Sequence, residues 1–549
     1  MVKPARIFSS LGLLLMAIAL AVLLRILHLG SRELWYDEVL SLLLTTGQKT
    51  AYQTPRSLPL PLGDYTALLQ LPLEESLGDI VATVAQFLRG LTGEPHPPLF
   101  FLGQHLWLRL WGNGVAALRS LNALYSVGAI ALAYGIGRQL LNARAGLIFA
   151  ALLGLNPYYL FHSLNVRMYG PLVFWAMLTT WALLQIIALN QGETQGLTRL
   201  KLLWMGLFVG AMVGGLMTFY LFFYYILALA ALVLWLDRRH SLAHAGRFIL
   251  AGCLTLPWIA WGTTQQMRNA DFDRFSTPLG FWATLGQHFS DTVQTLGIQL
   301  VLGDWVTSLP PSFLPVAGAV AIVFFVGMIA SLWQWQQRQL LGVALILALL
   351  PLGLALVADV VGGKFTLGFG WGRSLIVILP GSLLLLTLWL AHLPPHLARM
   401  PLIIVLLFYL TMGVGDFSLR SRRMFHELAA MIPGEPVPTL IALNSKAWGH
   451  VMRLAYYLPS DLPLDLLAER PADLAASLAA AVENTAYPRV IWLESHAPLW
   501  DAPATLEEEE AIAQAVKAVL SQNYHPIATQ ALSGTMDLDQ FTVSLYQQR

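Results

Sequence analysis

The chain has 549 residues, 56% hydrophobic and 11% charged, with a mean hydropathy of +0.62. Soluble domains carry about 25% charged residues, so this composition excludes an ordinary soluble protein. A net charge of +1 without a basic tract argues against a nucleic-acid partner, and the single cysteine, Cys253, excludes an intrachain disulfide and a multi-cysteine metal site.

The run from about Phe8 to Leu29 is almost unbrokenly apolar and long enough for one crossing. It is too long for a signal-peptide core, and no small-residue cleavage site follows it, so it reads as an uncleaved anchor. Lys3 and Arg6 ahead of it put the N-terminus in the cytoplasm. Leu34-Trp35-Tyr36-Asp37-Glu38 then emerges on the outer side and opens an apolar helix over Val39–Leu44. Four prolines (Pro55, Pro59, Pro61, Pro72) break the next stretch. Leu77–Leu91 follows with apolar residues at helical spacing, an amphipathic helix suited to the membrane surface. His96-Pro97-Pro98-Leu99 leads into Phe100–Trp111, which is short and contains His105 and Arg109; it reads as a second interfacial helix.

Ten further crossings are expected at about 117–137, 144–163, 168–189, 202–218, 219–236, 246–262, 312–333, 339–358, 374–392 and 399–415. Loops that this order places inside carry Arg138 and Arg144, Arg199 and Lys201, Arg238, Arg239 and Arg247, Arg338, and Arg399, in accord with the positive-inside rule. The fold expected is an α-helical polytopic membrane protein of about eleven spans. Its membrane domain covers 1–415, with the first external loop at 30–116, and a small extracytoplasmic α/β domain covers 416–549. In that last domain, apolar runs at Thr439–Leu443, Leu464–Leu467, Val490–Leu493 and Phe541–Tyr546 alternate with helical patterns, predicting a mostly parallel sheet. No Gly-rich phosphate loop accompanies it.

The polar residues collect on the expected outer side: Asp37 and Glu38, His96, Arg167 and Tyr169, and the loop Asp359–Arg373 with Lys364 and Arg373. Each has a plain structural alternative. Asp37 can cap a helix, His96 can end a loop, and Arg167 can meet a lipid headgroup. Tyr169, like Trp35 and Tyr36, can be a belt aromatic, and the loop 362–373 can be a connector whose glycines are merely permissive. Together they make chemical sense. A carboxylate can take a proton from an attacking hydroxyl, and cations can hold a phosphate and stabilise its growing charge. The loop glycines would let backbone approach a ligand.

Trp35-Tyr36-Asp37-Glu38 with Ser41 resembles the Asp-Glu motif in the first external loop of GT-C membrane glycosyltransferases, the group of protein O-mannosyltransferases and the bacterial lipid A aminoarabinose transferase. His96-Pro97-Pro98-Leu99 through Gly112, Asn156-Pro157 through Tyr169, and Gly372-Arg373-Ser374 are similar, in the same order, to later motifs of that group. The chain departs at Leu164-Asn165, where many bacterial relatives have Gln-Glu, and at Ser374, where they have Tyr. The resemblance implies inverting transfer from a polyprenyl-phosphate sugar donor to a lipid, glycan or protein acceptor, outside the plasma (inner) membrane. Asp37 would be the base and Glu38 would orient the acceptor or the loop. Lys364, Arg373 and Arg167 would hold the donor phosphate, with His96 and Tyr169 lining the site. No cofactor is implied with certainty, and a divalent metal stays open. Two rival readings are a lipid-linked sugar transporter or flippase, and an inactive relative that binds lipid-linked sugar. The near absence of charge within the spans favours the enzyme over the transporter.

Overall fold

The computed structural model describes residues 5–191, 198–269, 276, 280–420, 423–432, 434–485, 487–499, 501–534, 536 and 538–549. Lys3 lies outside them. The helices in chain order begin with α1 (Ala5–Leu27), α2 (Tyr36–Thr45), α3 (Leu62–Ala67), α4 (Leu77–Leu91), α5 (Leu99–Trp111), α6 (Val115–Leu140), α7 (Ala143–Leu155) and α8 (Pro157–Ser163). Next come α9 (Tyr169–Gln191), α10 (Arg199–Thr218), α11 (Phe222–Leu236), α12 (Ser241–Trp258), α13 (Thr264–Asn269), α14 (Phe281–Gly297), α15 (Phe313–Gln334) and α16 (Arg338–Gly362). The last are α17 (Leu379–His392), α18 (Pro395–Ser418), α19 (Met424–Met431), α20 (Trp448–Tyr457), α21 (Leu474–Asn484) and α22 (Leu506–Asn523).

Every expected crossing contains a helix. Among the described residues, eight runs are long and apolar enough to span: α6, α9, α10, Arg238–Asn269, α15, α16, Arg373–His392 and His396–Ser418. The expected crossing at 144–163 is a broken pair, α7 and α8, bent by 64°. The break follows from Asn156, whose side chain accepts from Tyr159 N–H, and from Pro157 at the first helical position. Leu11–Leu27 of α1 and Phe222–Leu236 are apolar but shorter. The apolar run in α1 is interrupted by Arg25, which is fully buried. Its guanidinium donates to Ser126 Oγ (2.6 Å), Ala21 O (2.8 Å) and Gly154 O (2.7 Å), so α1 itself and its neighbours α6 and α7 supply what lipid cannot.

The chain divides into two compact units. The first is Met1–Leu29, Leu91–Gln104 and Arg119–Leu419; the second is Gly30–Gly90, His105–Leu118 and Arg420–Arg549. Residues 30–116, expected in the membrane domain, group for the most part with the C-terminal residues.

The second unit is built on a sheet of strands β1 (Leu60–Pro61), β2 (Thr439–Leu443), β3 (Leu464–Ala468), β4 (Arg489–Ser495), β5 (Tyr524–Ser533) and β6 (Gln540–Gln548), in the order β1-β3-β2-β4-β6-β5. β2 pairs parallel with β3 and β4, while β1–β3, β4–β6 and β5–β6 are antiparallel. The sheet is therefore mixed, not mostly parallel, because the chain closes with a hairpin. Leu440, Ala442, Val490 and Trp492 pack beneath Leu478 of α21 and Leu520 of α22. α2 and α3 lie on α20. At the far end of α2, His105 Nδ1 donates to Thr45 O (2.5 Å), while His105 Nε2 accepts from Arg109 Nε (3.0 Å). Arg109 in turn pairs with Glu74 (Nη2 to Oε1 2.7 Å).

Candidate active site

In the first unit, four sequence candidates come together through buried polar supports. Gln266, 1% exposed, donates from Nε2 to Leu91 O (2.9 Å) and His96 O (2.8 Å), which fixes the turn before α5. Asn122 of α6, also buried, donates to Asn165 O and to Arg167 O (2.7 Å), which fixes the turn between α8 and α9. With both backbones held, Arg167 Nη2 reaches His96 Nε2 at 3.2 Å. An arginine only donates, so His96 Nε2 is the acceptor and the imidazole is the neutral Nδ1–H tautomer.

Aromatic rings carry the cluster onward. The His96 ring lies 6.1 Å from that of Phe219, and Phe219 lies 6.0 Å from Tyr169. Arg373 Cζ stands 5.5 Å over the Tyr169 ring and 5.4 Å over that of Phe369, within cation–π range. Tyr169 and Arg167 are buried, while His96 and Arg373 are half-buried. Lys364 is engaged differently: its Nζ donates to Ser276 Oγ at 2.6 Å.

The loop that carries Arg373 is a built structure rather than a slack connector. The Asp359 carboxylate accepts from Thr366 N–H (2.8 Å), Thr366 Oγ1 (2.7 Å) and Leu367 N–H (2.9 Å). Its glycines make room for α14. A Cβ on Gly368 would stand 2.6 Å from the Asp291 carboxyl carbon, and one on Gly372 2.7 Å from Thr295 Cγ2. Asp291 and Thr295 are one helical turn apart, matching the spacing of the two glycines. Further along, Gln299 Nε2 donates to Gly372 O (3.1 Å) and Leu375 O (3.2 Å). The sequence allows these glycines either a ligand-approach or a connector role; at positions 368 and 372 they serve helix packing.

Sequence reasoning missed the supports Asn122 and Gln266, the link Phe219, and α14. The α14 face offers His288, fully buried and stacked 4.6 Å from Phe365. It also offers Asp291, whose carboxyl is pushed up by burial. An apolar run with one amide or one ring in it carries no signal of such roles.

Asp37 and Glu38 belong to the second unit, in the first turn of α2. Glu38 is fully buried, and its Oε2 accepts from Trp35 N–H at 3.1 Å. It is Glu38, three residues on, that closes the helix start, in the manner of a capping box. Asp37 is half-buried, and Ser41 Oγ donates to its carbonyl oxygen at 3.1 Å. No group of three or more His, Cys, Asp or Glu side chains is placed to hold a metal ion among the described residues.

The helical architecture with its small C-terminal sheet has counterparts among solved structures. The chain is similar to the oligosaccharyltransferase of Archaeoglobus fulgidus, solved as a complex with Zn and sulfate, at 12% identity and a TM-score of 0.50, over 95% of this chain and 72% of that one. It is also similar to ArnT from Cupriavidus metallidurans. The apo form gives 13% identity, 98% of both chains and a TM-score of 0.42; the form bound to undecaprenyl phosphate gives 14% identity, 97% and 98% of the chains and 0.39. Residues 95–261 match the sequence model of the dolichyl-phosphate-mannose-protein mannosyltransferase family, a segment that holds His96, Arg167 and Tyr169. No curated protein matches the sequence.

Proposed function

We propose that the protein transfers a sugar from a polyprenyl-phosphate donor to an acceptor hydroxyl on the extracytoplasmic side of the plasma (inner) membrane. The observation that carries this reading is the cluster of Arg167 and Arg373 with His96 and Tyr169, largely within the matched segment. Two guanidiniums beside aromatic walls suit a phosphate next to a sugar ring. In the reaction, the acceptor oxygen attacks the anomeric carbon from the face opposite the phosphate. The carbon–oxygen bond to phosphate breaks, and its electron pair leaves with the polyprenyl phosphate. Asp37 takes the acceptor proton, Glu38 holds the start of α2, and the arginines stabilise the leaving charge. Lys364, whose Nζ donates to Ser276 Oγ, joins the arginines as a further cation for the donor phosphate, and inversion follows from the single displacement. The acceptor is a lipid, a glycan or a protein.

The test is to incubate the purified protein with a panel of polyprenyl-phosphate sugars and an acceptor extract, following release of polyprenyl phosphate. At least one donor should be consumed, and Asp37→Asn should slow that release by about 10²–10⁴-fold while donor binding is kept. Donor binding without release from any sugar would leave the inactive-binder reading in its place.

A further inference from the structure

The segment ahead of Asp37 is held residue by residue. Glu33, 1% exposed, accepts at Oε1 from both the backbone N–H and Nδ1 of His426, each at 2.7 Å. Leu34 N–H donates to the Tyr457 hydroxyl at 2.6 Å. Trp35 N–H is taken by Glu38. The Tyr36 ring meets Trp448 (5.0 Å) and His450 (5.9 Å) edge-on, with Arg453 Cζ 5.9 Å over its face. α20 comes this near because residue 449 is a glycine; any Cβ there would run into the Tyr36 ring. Three of four consecutive residues are thus gripped by C-terminal side chains some four hundred positions later in the sequence.

The grip is itself anchored. Arg453 and Asp539, both fully buried, form a two-pronged pair at 2.8 and 2.5 Å that joins α20 to the turn between β5 and β6. Arg453 also covers Phe425 (4.9 Å), whose ring stacks on Tyr457 (5.6 Å). Asp37 sits in a first helical turn, the part of a helix most prone to fray. A side chain misplaced by about 1 Å can cost about a hundredfold in rate.

We infer that His426, Tyr457 and Arg453 of the C-terminal domain are positioning residues that set the register of Glu33–Tyr36 and thereby aim Asp37. This rests on the reading of Asp37 as the base. The test uses Tyr457→Phe and Glu33→Gln, each alone and combined with Asp37→Asn, in the full chain. Arg453 and Asp539 are left intact, since breaking a buried pair endangers folding. Turnover at saturating acceptor, donor affinity and melting temperature are measured for each. Either substitution alone should lower kcat by about tenfold or more with donor affinity unchanged, and should add nothing in the Asp37→Asn background, because effects acting through one group do not add. Equal loss in both backgrounds means a general structural role and overturns the inference, as does a wild-type kcat in both single variants. If Asp37→Asn itself turns over at the wild-type rate, the base assignment has failed, a separate outcome that takes this inference with it.

Discussion

Arg373 has two aromatic rings within 5.5 Å of its guanidinium carbon, so its contribution depends on shape as well as charge. A charge-assisted bond to a donor phosphate is worth about 1.5–3 kcal/mol. Arg373→Ala should therefore weaken donor binding or turnover by about one to two decades. Arg373→Lys should recover only part of that loss, because it keeps the charge but neither the fork nor the flat stack. Isothermal binding of polyprenyl phosphate and turnover assays read both, and unchanged values in Arg373→Ala would remove it from the site. A second residue-scale effect concerns pH. Burial, helped by Arg453 and opposed by Asp539, holds the His450 imidazole pKa down to about 3. The unfolded chain takes up that proton near 6.5, so the stabilisation is complete above that value and drains away as pH falls toward the folded pKa. At pH 5 the loss is about 2 kcal/mol. The wild-type melting temperature should fall from pH 7 to pH 5 more steeply than that of His450→Gln; parallel slopes would exclude His450 as the cause.

At the scale of elements, the Arg373 loop is held by glycines whose purpose depends on a helix far away in sequence. Gly372 has φ +71° and sits against Thr295, while Gly363 has φ +61° and open space around its Cβ position. Gly363→Ala should cost about 1 kcal/mol for the left-handed backbone alone. Gly372→Ala should cost more, about 2–3 kcal/mol with the crowding added, and should also shift Arg373. Thermal melts of the two variants, with donor binding alongside, check this; equal costs would mean that α14 does not constrain the loop. The spacing of these glycines was legible in the sequence, but their partner was not, since nothing local in α14 points to residue 368 or 372. The long apolar helices and the central strands β2, β3, β4 and β6 were legible because apolar periodicity marks them. β1 escaped because it is two residues long and contains Pro61, tolerable on an edge. β5 escaped because most of its residues are exposed and show no apolar alternation.

For the whole molecule, the order of the crossings was legible from apolar runs alone, whereas the grouping of 30–90 with the C-terminal sheet was not. That grouping rests on contacts such as Thr66 Oγ1 to Ala455 O at 2.8 Å, which link positions almost four hundred residues apart. The proposed orientation rests on the basic loops. Arg238 and Arg239 are exposed, whereas Arg247 is buried and donates to His244 at 3.0 Å, so under that proposal the first two would carry the sorting signal in their loop. Cys253 is the single cysteine and is exposed, so the background for labelling is Cys253→Ala. Into it go Arg239→Cys and, separately, Glu508→Cys, both at exposed positions. If the N-terminus lies inside and the number of crossings is odd, as proposed, a membrane-impermeant maleimide should reach position 239 only in inverted vesicles and position 508 only in right-side-out ones. Labelling of both positions from one side would mean an even number of crossings between them, and an acidic motif reading outward would then need a different first loop. Neutralising Arg238 and Arg239 together should raise the fraction of chains inserted the wrong way, which the same two cysteines report.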